Sequence, residues 1–361
     1  MKAVGVFPST QKVELIEQEE PRITAPREVK LRMIAVGVCG TDREICAFEY
    51  GTPPPGSDHF ILGHESLGEV FETGEAVSRV KRGDLVVATV RRPCPHAACV
   101  ACRAGRPDFC TTGDYREHGI KGMDGFMTEF VVDDEIYLNT VPAALRDVAV
   151  LVEPLTIAEK SLIQVRSVQQ RLPWSGSRHR ALVLGAGPVG LLGAMALITE
   201  GFDTFVYSRD PAPNRESAIV AAIGARYFSS QQDPISKVAA EIGNIDLVYE
   251  ATGASQFAFQ VLPFLGSNGI FVLTGVPGKN QEVELDTGTI MKNLVLKNQV
   301  VLGTVNAGAD AFQAAIRDLA VFYKHWPDSV RALLTGRYPI DAFGELVFAR
   351  TGGIKDVIIL S

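Results

Sequence analysis

The hydrophobic and polar positions of the chain change pattern about halfway along it. Up to about residue 150, short apolar runs rich in β-branched residues are separated by turns with glycine and proline, such as Gly51–Gly56. Runs of this length bounded by turn residues predict β-strands. The predicted strands are Lys2–Val6, Glu28–Val36, Ser66–Thr73, Leu85–Val90 and Phe130–Val132. Together they predict a β-rich, partly closed barrel.

From about residue 180, apolar runs of strand length alternate with helical segments. The predicted strands are Leu182–Leu184, Thr204–Tyr207, Asp246–Glu250 and Ile270–Leu273. The predicted helices are Gly190–Thr199, Glu216–Ile223 and a segment that ends at Phe264. Strands that alternate with helices predict a parallel, doubly wound sheet, so the second part of the chain is predicted to be α/β.

The length of 361 residues favours more than one domain. We predict a first, β-rich domain over residues 1–165, with a cysteine-rich lobe at about 91–113, and a doubly wound domain over 166–305. A joining helix and a polar loop at Ser175–Arg180 are expected between the two. The remaining segment, 306–361, begins with a predicted helix at Ala309–Tyr323 and is expected to return to the first domain.

The composition and the net charge restrict the classes of partner that the protein is expected to bind. Hydrophobic residues make up 46% of the chain and charged residues 21%, which is typical of globular proteins. The net charge of −7 disfavours nucleic acid as a partner. The apolar stretch Ala181–Ile198 contains three glycines and a proline near its start, which indicates a strand, a turn and a helix rather than a membrane span. With no signal peptide at the N-terminus, we expect a cytoplasmic protein that does not bind membranes.

A glycine-rich turn connects the first strand of the second domain to its helix. The segment Gly185-Ala186-Gly187-Pro188-Val189-Gly190 follows an apolar strand and opens an apolar helix, the context of a dinucleotide-binding turn. Glycines let the backbone approach the pyrophosphate, and the free N–H groups at the helix start bind it. We therefore predict a nicotinamide dinucleotide site formed by Gly185, Gly187, Pro188, Val189 and Gly190.

The end of the second strand bears on which dinucleotide binds. An acidic residue at this place would bind the ribose 2′-hydroxyl of NAD, but the chain has Ser208 and Arg209 there. A guanidinium can pair with the 2′-phosphate of NADP. Asp210 follows directly and is an acid that could bind the ribose of NAD, so NAD stays an alternative cofactor. The sequence predicts NADP, NAD or both.

Two groups of residues could bind zinc. Cys94, Cys99, Cys102 and Cys110 lie within one short segment, and four thiolates form a closed, structural zinc site; His96 could replace one of them. The second group is dispersed and comprises Cys39, His64, Glu65 and Glu153. Thiolate, imidazole and carboxylate ligands together form an open zinc site with a position left for substrate.

In this order along the chain, these motifs resemble the zinc-containing medium-chain dehydrogenases. The segments Cys39–Asp42, Gly63–Glu65, the four-cysteine lobe and the glycine-rich turn carry the resemblance, which covers essentially the whole chain. Within that superfamily the chain is similar to the microbial glucose 1-dehydrogenases. The residues that indicate this group are Thr89–Pro93, Gly113–Lys121, Val152–Pro154, Glu159–Lys160, Glu250–Gly253 and Leu302–Asn306.

The resemblance implies a GroES-like catalytic domain, a Rossmann domain and assembly into homodimers or homotetramers. It implies that a catalytic zinc binds Cys39 and His64, with Glu65 and Glu153 as direct or water-mediated ligands. It implies a substrate-binding and proton-accepting role for Thr41, and sugar-binding roles for Glu117, Glu153 and Asn306. The implied cofactor-binding residues beyond the glycine-rich turn are Ser208, Arg209, Thr274, Gly275, Val276, Thr304, Val305 and Asn306.

The implied reaction is oxidation of the C1 hydroxyl of an aldose, most simply glucose, to a lactone, with hydride transfer to NAD(P). A polyol dehydrogenase of the sorbitol type and a threonine-type dehydrogenase are alternatives with the same chemistry. A zinc-free reductase and a non-catalytic nucleotide-binding protein are alternatives of a different class, which Cys39, His64 and Glu153 together disfavour.

Two features depart from the family pattern. Four residues separate Cys94 from Cys99 where two are usual, and Glu44 stands where a histidine commonly ends the proton relay. We therefore expect the proton to leave through Glu44 or through water; the alternative is that Glu44 is only a solvated side chain.

Overall fold

The computed structural model describes residues 1–174, 178–278, 282–349 and 351–360, so the predicted loop Ser175–Arg180 lies partly outside the described residues. The chain divides into two compact units. The first unit comprises Met1–Thr156, Asn306–Tyr323 and Leu333–Ser361, and the second comprises Ile157–Val305 and Lys324–Ala332.

The strands of the described chain are β1 (Lys2–Phe7), β2 (Lys12–Glu17), β3 (Glu28–Gly37), β4 (Phe60–Ile61), β5 (Glu65–Thr73), β6 (Leu85–Ala88), β7 (Arg91–Arg92), β8 (Arg116–His118), β9 (Gly122–Met123), β10 (Phe130–Asp134), β11 (Leu138–Val141), β12 (Arg180–Leu184), β13 (Asp203–Ser208), β14 (Arg226–Ser229), β15 (Leu247–Glu250), β16 (Ile270–Leu273), β17 (Val300–Gly303), β18 (Leu334–Pro339) and β19 (Lys355–Ile359). Its α-helices are α1 (Gly40–Cys46), α2 (Val100–Arg103), α3 (Val152–Gln169), α4 (Pro188–Thr199), α5 (Arg215–Ala222), α6 (Ile235–Ile242), α7 (Ser255–Val261), α8 (Thr287–Leu296), α9 (Ala309–His325), α10 (Pro327–Leu333) and α11 (Phe343–Val347).

The first unit is built mainly from β-strands. Its largest sheet has seven strands in the order β11-β6-β5-β3-β19-β18, with β10 also paired to β3. The last strand, β19, pairs antiparallel with the end of β3, which brings the C-terminal segment to the residues that follow Gly37. Side chains from this sheet, from the three-stranded sheet β2-β1-β4 and from a loop fill a core that includes Met33, Val4, Phe60 and Phe126. The predicted β-rich fold of this part of the chain is therefore confirmed.

The second unit contains the predicted doubly wound sheet. Its six parallel strands have the order β14-β13-β12-β15-β16-β17. The central strand β12 is apolar from Ala181 to Leu184, and these residues are fully buried, as expected for a parallel strand covered on both faces. The reversal of strand order beside β12 is the place where dinucleotides bind in such sheets.

The apolar stretch Ala181–Ile198 forms β12, a tight turn and most of α4. Among the described residues, no helix has both the length and the apolar character needed to cross a membrane.

Candidate active site

The first candidate zinc ligand, Cys39, lies where β3 gives way to α1. Cys39 is the N-cap of α1, and its backbone N–H donates to Asp42 Oδ2 at 2.8 Å. Asp42 is completely buried, although a carboxylate normally stays exposed unless it is paired. The helix start therefore fixes Cys39 through the side chain of Asp42.

The same aspartate contacts the second candidate ligand. His64 Nδ1 lies 3.3 Å from Asp42 Oδ1, and neither atom has a hydrogen-bond partner among the described residues. Burial lowers the pKa of His64, but the charge of Asp42 and the neighbouring Cys39 raise it well above its usual value. A buried carboxylate behind an imidazole is the arrangement that orients histidine ligands toward a metal.

Glu65, the third candidate ligand, is held by a buried lysine from the C-terminal strand. Lys355 Nζ donates to Glu65 Oε1 at 2.5 Å and to the carbonyl oxygen of Val38 at 3.0 Å, and it also contacts Glu65 Oε2. A side chain at Gly37 would place its Cβ 2.0 Å from Glu65 Oε2, so only glycine permits this packing. Three distant segments of the chain thus meet at one carboxylate.

The donor atoms of these three residues fit zinc. Ligand atoms of Cys39, His64 and Glu65 all lie within 4.8 Å of one another. Zinc binds sulfur at about 2.3 Å and nitrogen or oxygen at about 2.0–2.2 Å, so the ligand atoms of one tetrahedral ion are about 3.3–3.8 Å apart, which is within the 4.8 Å limit met by these three residues. Thiolate, imidazole and carboxylate are zinc donors, and three protein ligands leave a coordination position for substrate.

Glu153, the fourth predicted ligand, lies at the start of α3 and is not in the group of ligand atoms within 4.8 Å among the described residues. Burial raises the pKa of its carboxyl to about 7; His64 opposes this shift and the charge of Glu65 adds to it. The carboxyl is therefore electrostatically coupled to the candidate site.

Thr41 and Glu44 lie on α1 beside Tyr50. Burial raises the pKa of Tyr50 to about 12, and a hydrogen bond with Thr41 opposes that shift. Burial also raises the pKa of Glu44, and a hydrogen bond with Tyr50 opposes this rise. Tyr50 therefore connects the hydroxyl of Thr41 with the carboxyl of Glu44.

The four-cysteine lobe is assembled in the first unit. Ligand atoms of Cys94, Cys99, Cys102 and Cys110 lie within 4.8 Å of one another, and none of these cysteines is in a disulfide. The Cys99 and Cys110 sulfurs are 3.9 Å apart, close to the roughly 3.8 Å edge of a tetrahedron of sulfurs around zinc. The four-residue gap after Cys94 does not keep the sulfurs apart. His96 is outside this set, and its Nε2 contacts Asp114 Oδ2 at 2.7 Å.

Two predicted sugar-binding residues are in direct contact. Asn306 Nδ2 donates to Glu117 Oε1 at 2.9 Å. Glu117 is buried, and the guanidinium of Arg91 also contacts it at 2.9 Å. The structure therefore provides a buried, charge-balanced carboxylate of the kind that binds hydroxyl groups.

In the second unit, the glycines of the dinucleotide turn differ in their surroundings. Gly185 has φ +97°, and a Cβ there would come within 2.6 Å of Thr252 Cγ2. A Cβ at Gly190 would lie 2.1 Å from the carbonyl oxygen of Gly185, which explains the close approach of α4 to the strand. A Cβ at Gly187 meets nothing within 4 Å, and this residue is the N-cap of α4. The open space lies where a pyrophosphate would approach the backbone.

At the end of β13, Arg209 forms a fork with the next residue. Its Nε donates to Asp210 Oδ1 at 3.0 Å and its Nη2 to Asp210 Oδ2 at 3.3 Å. Both side chains are largely exposed, so the pair contributes little to stability and is free to rearrange.

The loops after β15 and β16 are joined by one buried carboxylate. Glu250 Oε1 accepts hydrogen bonds from the backbone N–H groups of Thr252 and Gly253 at 2.6 and 2.9 Å. Glu250 Oε2 accepts from the N–H of Gly275 at 3.1 Å. These loops lie at the carboxyl ends of the parallel strands, and Thr274–Val276 belong to the predicted cofactor-binding residues.

Sequence reasoning assigned no role to four residues that shape these sites. Asp42 and Glu250 lie inside the motifs Cys39–Asp42 and Glu250–Gly253. A carboxylate in a segment that is expected to be buried needs a partner, so the sequence could have suggested a role for both. Arg91 lies inside the segment Thr89–Pro93, but its contact with Glu117 depends on the pairing of β7 with β8, which the sequence does not show. Lys355 could not have been found, since 290 residues separate it from Glu65.

Comparisons with known proteins agree over the whole chain. The family described as Glucose dehydrogenase C-terminus matches residues 146–360, and the family described as Alcohol dehydrogenase GroES-like domain matches residues 25–143. The chain is 40% identical over 361 residues to a glucose 1-dehydrogenase of Methanocella arvoryzae, covering 100% of this chain and 99% of the relative. It is 39% identical to a glucose 1-dehydrogenase of Thermoproteus tenax, covering 99% of each chain.

A solved structure gives the same result. The Haloferax mediterranei glucose dehydrogenase in complex with NADP, Zn and gluconolactone is similar with a TM-score of 0.90 and 33% sequence identity. The match covers 100% of this chain and 99% of that one.

Proposed function

Because the chain belongs to the glucose dehydrogenase family of zinc-containing medium-chain dehydrogenases, we propose that it oxidises the C1 hydroxyl of an aldose, glucose in the first place, and that NADP or NAD accepts the hydride. The product is the corresponding lactone. Relatives that carry the name glucose 1-dehydrogenase cover essentially the full chain, which favours glucose over a polyol or threonine.

One structural observation carries this proposal. The first unit brings Cys39, His64 and Glu65 from distant positions into a single set of ligand atoms that fits zinc. A protein that only bound nucleotides would have no need for an open set of this kind beside a separate four-cysteine lobe. The proposal therefore concerns catalysis.

The chain's own residues have distinct parts in the reaction. Zinc, when bound, polarises the substrate hydroxyl as a Lewis acid and lowers its pKa. Asp42 keeps the imidazole of His64 and the backbone of Cys39 in place. Lys355 keeps the carboxylate of Glu65 oriented.

The proton of the substrate hydroxyl leaves through side chains that begin and end on α1. Thr41 is the residue that takes the hydroxyl proton, and Tyr50 connects Thr41 with Glu44. Glu44 thereby takes the place of the histidine that commonly ends the relay in this superfamily.

Substrate and cofactor binding follow from the other contacts. Glu117, Glu153 and Asn306 offer carboxylate and amide groups to sugar hydroxyls, which such groups recognise better than an apolar pocket does. The dinucleotide binds the turn Gly185–Gly190 and the loops held by Glu250, and the hydride acceptor is its nicotinamide. Ser208 and Arg209 favour NADP because the guanidinium can leave Asp210 for a 2′-phosphate.

The oligomeric state and the cellular location of the protein stay predictions. We propose a homodimer or homotetramer in the cytoplasm. Helix α8 supports self-association, because Met291, Val295 and Leu296 on it are each at least 64% exposed. Light scattering of the purified protein measures the assembly.

A sugar panel with one cysteine variant tests the proposed function. The purified protein with zinc should reduce NADP with glucose faster than with sorbitol or threonine. Cys39→Ser should lose most of this activity and about one zinc per chain while keeping its fold. Cys46→Ala, on the same helix but outside both ligand sets, is the control and should stay active. Full activity of Cys39→Ser without zinc would refute the metal-dependent reaction.

A further inference from the structure

We propose that Arg91 is a positioning residue for the sugar. It holds Oε1 of Glu117 and thereby presents Oε2 to a substrate hydroxyl. This inference rests on the proposed function, since it specifies how one residue of that site selects its substrate.

Arg91 and Glu117 face each other across a pair of antiparallel strands. They are direct partners in the register of β7 and β8. Arg91 Nε donates to Glu117 Oε1 at 3.0 Å, and Arg91 Nη2 lies 2.9 Å from the same oxygen. The side chains are only 6% and 10% exposed, so water screens this pair little.

The guanidinium is itself held in place by an aromatic ring. The centre of the Arg91 guanidinium lies 3.7 Å from the centroid of the Tyr115 ring. Lys121 Nζ lies 4.5 Å from the same centroid. Stacking on a ring and a two-atom approach to a carboxylate both require the planar fork of arginine, which lysine lacks.

Asn306 adds a third donor to the same oxygen. Its Oδ1 accepts the backbone N–H of Ala307 at 2.8 Å, and this leaves Nδ2 to donate to Glu117 Oε1. Asn306 has φ +60°, a conformation that asparagine adopts more readily than most residues. The backbone N–H of Ala307 therefore fixes the orientation of the amide.

The two carboxylate oxygens of Glu117 consequently differ in the number of hydrogen-bond donors around them. Three donor atoms converge on Oε1, whereas Oε2 accepts no hydrogen bond from the residues that the structure describes. The Glu117 side chain is 10% exposed, and Oε2 does not belong to the buried polar atoms that lack a partner in the described chain, so this oxygen is open to a donor from a ligand. Because Arg91 already balances the charge, the missing donor is a neutral hydroxyl rather than a cation. Uncharged polyhydroxyl substrates have this chemistry.

The test compares Arg91→Met with Arg91→Lys and a control. Arg91→Met should raise the KM for glucose roughly ten- to a hundredfold, the range for a lost hydrogen bond to a charged group. The KM for NADP and the zinc content should stay unchanged. Arg91→Lys should give an intermediate KM because it keeps the charge without the fork. Arg116→Met removes an exposed arginine from the same strand as Glu117 and should behave as the parent protein.

Deoxy sugars separate positioning from a general structural role. In the parent protein, the deoxyglucose that lacks the hydroxyl bound by Glu117 should show the largest loss of kcat/KM. In Arg91→Met this loss should shrink severalfold, while the other deoxy sugars keep their penalties. Equal penalties for all sugars, or an unchanged KM, would overturn the proposal.

A double variant covers the case in which Arg91→Met folds poorly. If Arg91 acts through Glu117, Arg91→Lys should change the KM for glucose much less in the Glu117→Gln background than in the parent protein. Independent, additive effects would contradict the proposal. A parent protein that oxidises no aldose would instead refute the proposed function, so the two failures are distinguishable.

Discussion

Asp42 shows how one side chain prepares a metal site. It accepts the backbone N–H of Cys39 with one oxygen and faces His64 Nδ1 with the other. The motif Cys39–Asp42 predicted the zinc ligand, but the role of Asp42 depends on its contact with His64, which only the folded chain shows. A carboxylate with two such contacts aligns both ligands before the metal binds.

The change Asp42→Asn tests this role. Asparagine keeps the size but lacks the negative charge, so zinc affinity at the catalytic site should fall roughly ten- to a hundredfold. Competition with a chelator measures the affinity. Asp58→Asn is the control, because Asp58 also contacts a histidine, His59, but in an exposed pair. Equal zinc affinity of parent and Asp42→Asn would show that the carboxylate does not orient His64.

We predict that the choice between NADP and NAD depends on Arg209. The change Arg209→Ala should weaken NADP binding about ten- to a hundredfold and leave NAD nearly unchanged, because only NADP has the 2′-phosphate. Steady-state kinetics with both cofactors measure this. Lys237→Ala, which removes an exposed lysine of the same unit that also pairs with an aspartate, is the control. An equal loss for both cofactors would place Arg209 outside the phosphate site and favour Asp210 as the ribose ligand.

At the scale of elements, buried strands and helices could be predicted from the sequence more readily than partly exposed ones. The strand β12 and the helix α4 could be predicted because both are almost entirely apolar and are joined by a glycine-rich turn. The edge strands β14 and β17 were missed, because they are four residues long and partly exposed, so no continuous apolar run marks them. The short helix α6 between polar loops was missed as well.

The four-cysteine lobe is the element whose stability we predict to depend on a bound metal. Backbone N–H groups of Cys102 and Thr111 lower the pKa of the Cys99 thiol to about 5, whereas burial raises that of Cys102 to about 12. The pKa of Cys110 is lowered as well, so the thiols of the cluster differ in acidity, and a bound cation favours the thiolate form of each.

The change Cys102→Ser should remove about one zinc per chain and lower the melting temperature by roughly 5 °C or more, because structural zinc contributes to folding. Elemental analysis and calorimetry measure the two effects. Activity per remaining catalytic zinc should fall far less than in Cys39→Ser. Unchanged zinc content and an unchanged melting temperature would show that the four cysteines do not bind a structural zinc.

At the scale of the whole molecule, the combination of motifs carried more information than any one of them. An open zinc set, a closed zinc set and a dinucleotide turn occur in one chain, and the fold and family predicted from them are confirmed. The contacts of Lys355 and Arg91 were not predictable, because they depend on strand pairings between distant segments. The division of the chain at residue 165 and the roles of the individual site residues stay predictions.

The measurement that tests the central claim most directly is the fate of a hydrogen label. Glucose that carries deuterium at C1 is incubated with the zinc-loaded protein and NADP, and the products are analysed by NMR. The account predicts that the deuterium moves to C4 of the nicotinamide ring and that gluconolactone forms in equal amount. Reduced cofactor without deuterium, or no reduced cofactor with any aldose, would contradict it.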